Sequence, residues 1–167
     1  PIQGAGTANL NAEDPFNRSQ RLMGPCLTGL HNLGNTCYMN SVLQCLSNTI
    51  CLRDFFITGS YLKDVNKKNV LGYNGDLATS FCKVVRKLWS GEQQSFAPDR
   101  LKDVIEKRHS SYDGIMQHDA HELMSLLLDG LHEDLNRVSM KPQTEAVVSD
   151  GQLDVEVAKQ AWKVHRM

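Results

Sequence analysis

Apolar residues recur at helical spacing in segment after segment of this chain, and no convincing alternating strand pair is found. The strongest case is Ala120, Leu123, Met124, Leu127, Leu128, Leu131 and Leu135, a wide apolar stripe that predicts a helix over 117–137. Leu77, Phe81, Val84, Val85 and Leu88 predict a second over 76–90, stopped by Gly91. Leu101, Val104 and Ile105 form the apolar face of a third, from Pro98 in its first turn to about His109. Met39, Val42, Leu43 and Leu46 fall at i, i+3, i+4 and i+7 and predict a helix over 37–52, with Asn35 and Thr36 as capping side chains. Val155, Ala158, Trp162 and His165 predict a last helix from Leu153. Gly130 inside the stripe of the 117–137 helix disfavours helix by about 1 kcal/mol against Ala, which points to close packing there. With no internal repeat, the fold class is mainly α.

Between these segments, residues 1–25 are small and polar with no period, and read as a flexible linker entering a domain near Cys26. Breaks are expected at 58–60, at Asp113-Gly114 and over the loop 139–151, and a basic stretch carries Lys63, Lys67 and Lys68. A chain of 167 residues is one domain's worth. Its formal net charge of −1 gives no pull toward nucleic acid. Apolar runs of about five residues are far short of a membrane span, so membrane insertion is not expected. The 5 cysteines are odd in number and lack a C-x-x-C pair, which argues against a disulfide framework or a zinc ribbon within these residues. A reducing compartment, cytoplasm or nucleus, is the expectation. With Pro1 rather than Met at the start, a processed or excised chain is expected, and no charged head and apolar run of a secretory leader is found among these residues.

One cysteine is placed for chemistry. Cys37 falls at the start of a predicted helix, where backbone N–H groups and the positive dipole end favour a thiolate. The preceding loop, from Asn32 to Thr36, is rich in donors. An Asn amide there and the Cys37 N–H could meet an oxyanion formed by attack on a carbonyl. That is a cysteine acyl-transfer constellation. A cysteine at a helix start is also a common small core residue, and position alone leaves both readings open. Residues 116–135 hold Asp119, Glu122, Asp129, Glu133 and Asp134 and no Lys or Arg. With Asp119 and Glu122 at i, i+3 on one face, this suits a basic peptide tail, or is a solvated helix face. A metal is not expected. His121-Glu122 begins an H-E-x-x-H pattern but Ser125 stands where the second His belongs, and His118 with His121 lacks a third ligand.

The run Gly29 to Leu46, GLHNLGNTCYMNSVLQCL, closely resembles the Cys box of ubiquitin-specific proteases. Met116 to Leu123, MQHDAHEL, resembles the family's second box, at a fitting distance. The resemblance implies the helical thumb portion of a papain-like α+β cysteine protease domain over 26–167, with the palm and fingers missing. It implies a deubiquitinase that needs no cofactor and acts on ubiquitin and ubiquitinated proteins, cleaving after the C-terminal glycine of ubiquitin. It also implies that Cys37 is the nucleophile and Asn32 the oxyanion-hole side chain, while Asp119 and Glu122 contact the ubiquitin tail. Cys26, Cys45, Cys51 and Cys82 are left as packing residues.

The family's catalytic histidine belongs to a Gly-His-Tyr box, and none of the 6 histidines has that context. The fingers' C-x-x-C pairs are also absent. The resemblance therefore implies a chain that stops before the fingers and the His box and is inactive by itself. The competing readings are a non-catalytic ubiquitin-binding or scaffold module, and a helical interaction domain unrelated to ubiquitin.

Overall fold

The computed structural model describes residues 24–138, 151 and 153–165. The expected linker up to residue 23, and the expected loop over 139–151 apart from Gly151, lie outside the described residues. The chain divides into two units, Pro1–Arg137 and Val138–Met167.

The first unit is mainly helical. Its elements run β1 (Gly29–Leu30), α1 (Cys37–Ser47), α2 (Ile50–Ile57), α3 (Asp76–Ser90), β2 (Ser95–Phe96), α4 (Asp99–Arg108) and α5 (Ala120–Asp134). Helix α3 is the centrepiece and packs against α1, α2, α4 and α5. Its predicted face, Leu77, Phe81, Val84, Val85 and Leu88, is buried throughout. Each such side chain contributes roughly 1.5–3 kcal/mol by leaving water. Leu43 of α1, Phe56 of α2, Leu101 and Ile105 of α4, and Leu123 and Leu127 of α5 complete the core. Gly91 ends α3 in the left-handed region at φ 68°, as its position in the sequence predicts.

Four expectations are corrected. The helix expected over 37–52 is two helices, broken at Asn48 and Thr49. There the Asn48 amide donates to the Gln44 carbonyl (2.9 Å) and the Thr49 hydroxyl to the Cys45 carbonyl (3.3 Å), so side chains compete with the helical ladder. The helix expected from 117 begins at Ala120, because Asp119 takes an extended backbone and caps it. A strand pair does exist: β1 and β2 run parallel, with Gly29 opposite Ser95 and Leu30 opposite Phe96. Two residues are too few for an alternating pattern to show. Finally, of the four cysteines assigned to packing only Cys82 is buried. Cys45 and Cys51 are exposed and Cys26 is half-buried, so helical spacing alone does not place these side chains in the core.

Asp134, expected on an open acidic face, is fully buried. Its carboxylate accepts the backbone N–H groups of Tyr73 (2.5 Å), Gly75 (3.1 Å) and Ala78 (3.0 Å). The end of α5 thereby satisfies donors at the start of α3, which would otherwise be buried without partners. Gly130, one turn earlier, lets the two helices touch. A Cβ there would overlap Leu77 Cδ2 and lie 2.8 Å from Tyr73 Cε2.

In the second unit, α6 (Asp154–His165) is the described element. Val155 and Trp162 are exposed on it. No helix among the described residues is long and apolar enough to cross a membrane.

Candidate active site

The loop before α1 is shaped by one side chain. Asn32 Oδ1 accepts the Gly34 N–H (3.1 Å), the Thr36 N–H (2.9 Å) and the Thr36 hydroxyl (3.2 Å). Only an oxygen can accept from two backbone N–H groups, so the amide orientation is fixed by chemistry. The NH2 end of Asn32 is the donor end that remains, on an exposed residue. Thr36 does not cap α1 with its side chain, contrary to expectation. Its hydroxyl accepts the Leu33 N–H (2.8 Å) instead and closes the loop on itself. The first turn of α1 therefore has no side-chain cap and no acidic residue. Cys37 is exposed on that turn. An exposed thiol thus stands at an uncapped helix start, where backbone N–H groups point outward, a few residues after a pinned amide.

Three ties fix this loop to its surroundings. The Asn40 amide donates to the His31 carbonyl (3.1 Å), so α1 holds the chain entering it. The β1–β2 pair extends to the His31 N–H, which donates to the Phe96 carbonyl (2.8 Å). The Asn35 amide donates to the Ile115 carbonyl (2.8 Å), across 80 positions of sequence. Asn35 has φ 53° and Gly34 φ 96°, both left-handed, and this double turn presents Asn35 toward Ile115.

The second sequence box lies on the element that packs beside α1. Asp119 Oδ1 accepts the N–H groups of His121 (2.7 Å) and Glu122 (3.1 Å). Those two bonds hold its carboxyl below the ordinary carboxylate range. Asp119 is thus an N-cap rather than a member of the α5 face, which corrects the i, i+3 reading. Its Oδ2 makes neither bond, so capping leaves an oxygen for a ligand. Glu122 is exposed in the first turn of α5. Beneath, the His118 ring packs edge-on against Tyr38 (centroids 5.3 Å apart) and tilted against Tyr112 (4.5 Å). Burial raises the pKa of both tyrosines. Among the described residues no group of three or more His, Cys, Asp or Glu is placed to hold a metal ion.

The structure therefore sets Asn32 in the loop that leads into α1, with Cys37 at the first position of that helix, and sets Asp119 and Glu122 at the start of α5, which packs on α1. The Asn35–Ile115 bond escaped the sequence reading. The Gly34-Asn35 pair signals left-handed backbone but not the partner of the amide. The Asp119–Glu122 spacing is that of a capping box, a signal that could have placed the helix start.

The family model for ubiquitin carboxyl-terminal hydrolases matches residues 28–165. The chain belongs to that family. Ubiquitin carboxyl-terminal hydrolase 19 of Rattus norvegicus is 47% identical over 167 residues, which is 100% of this chain and 12% of that protein. Ubiquitin carboxyl-terminal hydrolase 4 of Pongo abelii is 43% identical over 161 residues, 96% of this chain and 16% of that protein. The chain thus spans a small part of the length of these relatives. Among solved structures, the SAGA Ubp8/Sgf11/Sus1/Sgf73 DUB module bound to ubiquitin aldehyde matches with a TM-score of 0.54 at 22% identity, covering 72% of this chain and 28% of that one. That likeness is one of fold.

Proposed function

We propose that this chain carries the nucleophile, the oxyanion donor and a tail-docking pair of a thiol-dependent deubiquitinase. The observation that carries the reading is the pinned Asn32 amide, with its NH2 end left over, in the loop that leads to the exposed Cys37. The ubiquitin-bound neighbour and the family's name support ubiquitin as the substrate class. Asp119 Oδ2 and the Glu122 carboxylate dock a basic C-terminal tail. The Cys37 thiolate attacks the carbonyl carbon of the terminal glycine. The Asn32 amide and the Cys37 N–H donate to the oxyanion. The C–N bond then breaks, and the amine leaves with a proton delivered by an imidazolium. Water hydrolyses the resulting thioester and frees the thiol.

We propose that the imidazole comes from elsewhere, since three of the described histidines are already engaged. The His31 ring bonds the Ser95 hydroxyl (2.7 Å), the His109 ring bonds the Tyr73 hydroxyl (2.7 Å), and His118 sits between two tyrosines. We therefore assign the base, and with it the palm and fingers of a papain-like domain, to polypeptide outside these residues, and the chain by itself to the inactive thumb. The cytoplasm or nucleus suits its free thiols.

The test is Asn32→Asp in the full-length protein. This variant keeps the loop's acceptor and replaces the donor by a carboxylate. A fall in kcat of about 10²–10³-fold on a ubiquitin C-terminal fluorogenic amide, with KM little changed, is expected. An unchanged kcat would refute the role of Asn32. Turnover by the 167-residue chain alone, abolished in Cys37→Ala, would show that one of its own histidines is the base. A full-length protein that binds ubiquitin but never turns over would instead favour a non-catalytic ubiquitin-binding module.

A further inference from the structure

We infer that Asn35 is a positioning residue that clamps the segment before α5 to the nucleophile loop and so sets substrate affinity; this rests on the deubiquitinase reading above. Between Gly114 and Asp119 the chain runs without regular structure. Gly114 has φ 100° and open space around it. Ile115 and Met116 are 69% and 70% exposed. Among the described residues, no hydrogen bond other than that from the Asn35 amide to the Ile115 carbonyl (2.8 Å) joins 114–117 to the Cys37 loop. The Ile115 side chain lies over the same turn, its Cγ2 3.4 Å from where a Gly34 Cβ would stand. Asp119, the docking carboxylate, follows four residues after Ile115. Asn35 thus links the part of the site that reacts to the part that holds the tail.

The division of bonds within the loop makes the role specific. The bonds that shape the Cys37 approach run to Asn32 Oδ1 and Thr36 Oγ1, and none uses the Asn35 side chain. Removing the clamp frees the docking segment and leaves the nucleophile's frame in place. Loss therefore appears in KM rather than in kcat.

Asn35→Gly tests this with the backbone intact, because glycine adopts φ 53° without strain. Asn35→Asp is the second variant; it keeps size and left-handed tolerance but sets a carboxylate against the Ile115 carbonyl. In the full-length protein both should raise KM for the ubiquitin amide about 2- to 10-fold, the worth of one hydrogen bond. Both should leave kcat and the iodoacetamide alkylation rate of Cys37 within about twofold. Amide hydrogen exchange over 114–117 should quicken in both, while that of α3 stays unchanged. KM unchanged in both variants overturns the proposal. So does a kcat loss matched by altered alkylation, which would mean that Asn35 acts on the thiol. Absence of turnover in the unmodified protein would sink the deubiquitinase reading itself, and the exchange data would still report whether the clamp exists.

Discussion

At the scale of single residues, Asp119 caps α5 and, in the function proposed above, has docking a cation as a second job. Oδ1 closes the start of α5 through two backbone bonds, and Oδ2 makes neither of them. The jobs are separable by substitution. Asn caps helices about as well as Asp but carries no charge. Asp119→Asn should therefore keep the thermal midpoint close to that of the unmodified protein and weaken ubiquitin binding. Asp119→Ala should lower both. Titration of ubiquitin into a Cys37→Ala background, paired with thermal melts, distinguishes them. Full ubiquitin affinity in Asp119→Asn would mean that the residue only caps. Cys37 itself shows how far sequence goes at this scale. Its place at the first turn of a helix was legible from the apolar period that begins at Met39. The pinned state of the Asn32 amide was not, since it depends on the loop's fold.

At the scale of elements, α3 was legible to the residue because its signals agree: a strict apolar face, Asp76 at the start and Gly91 at the end. The region 37–57 was read less well. Its apolar residues continue through the Asn48-Thr49 break, so the period alone does not see two helices. The α3–α5 contact is decided by Gly130. Alanine there improves helix propensity by about 1 kcal/mol. It also forces a methyl group against Leu77 and Tyr73, and such overpacking costs roughly 1–3 kcal/mol. Gly130→Ala should therefore be destabilising on balance, by up to about 2 kcal/mol in denaturant unfolding. A stabilised variant would show that the helices can part without loss.

At the scale of the whole molecule, acid should destabilise the fold in two stages. Burial, aided by the neighbouring Arg108, lowers the pKa of His109 below its ordinary 6.5. Below that pH the unfolded chain binds a proton that the folded one resists, so stability falls as pH drops toward the folded value. Asp119 also titrates lower in the folded state than its ordinary 3.8. Its contribution is present above that value and is lost as pH falls through the depressed one. Thermal midpoints measured from pH 7 to 3 should decline first below about 6.5 and again below about 4. His109→Gln should flatten the first decline, and an unaltered slope would remove His109 from the account. The sequence by itself determined the mainly helical class, the α3 core face, the Cys37 helix start and the two boxes that carry the family. These are local properties, set by residues within a few turns of one another. Tertiary structure alone decided that Asp134 is a buried cap for α3, that Asn35 reaches Ile115, and that Leu77 meets Gly130. Each joins residues more than 50 positions apart, and a periodic pattern reports which face is buried but not which distant group it meets.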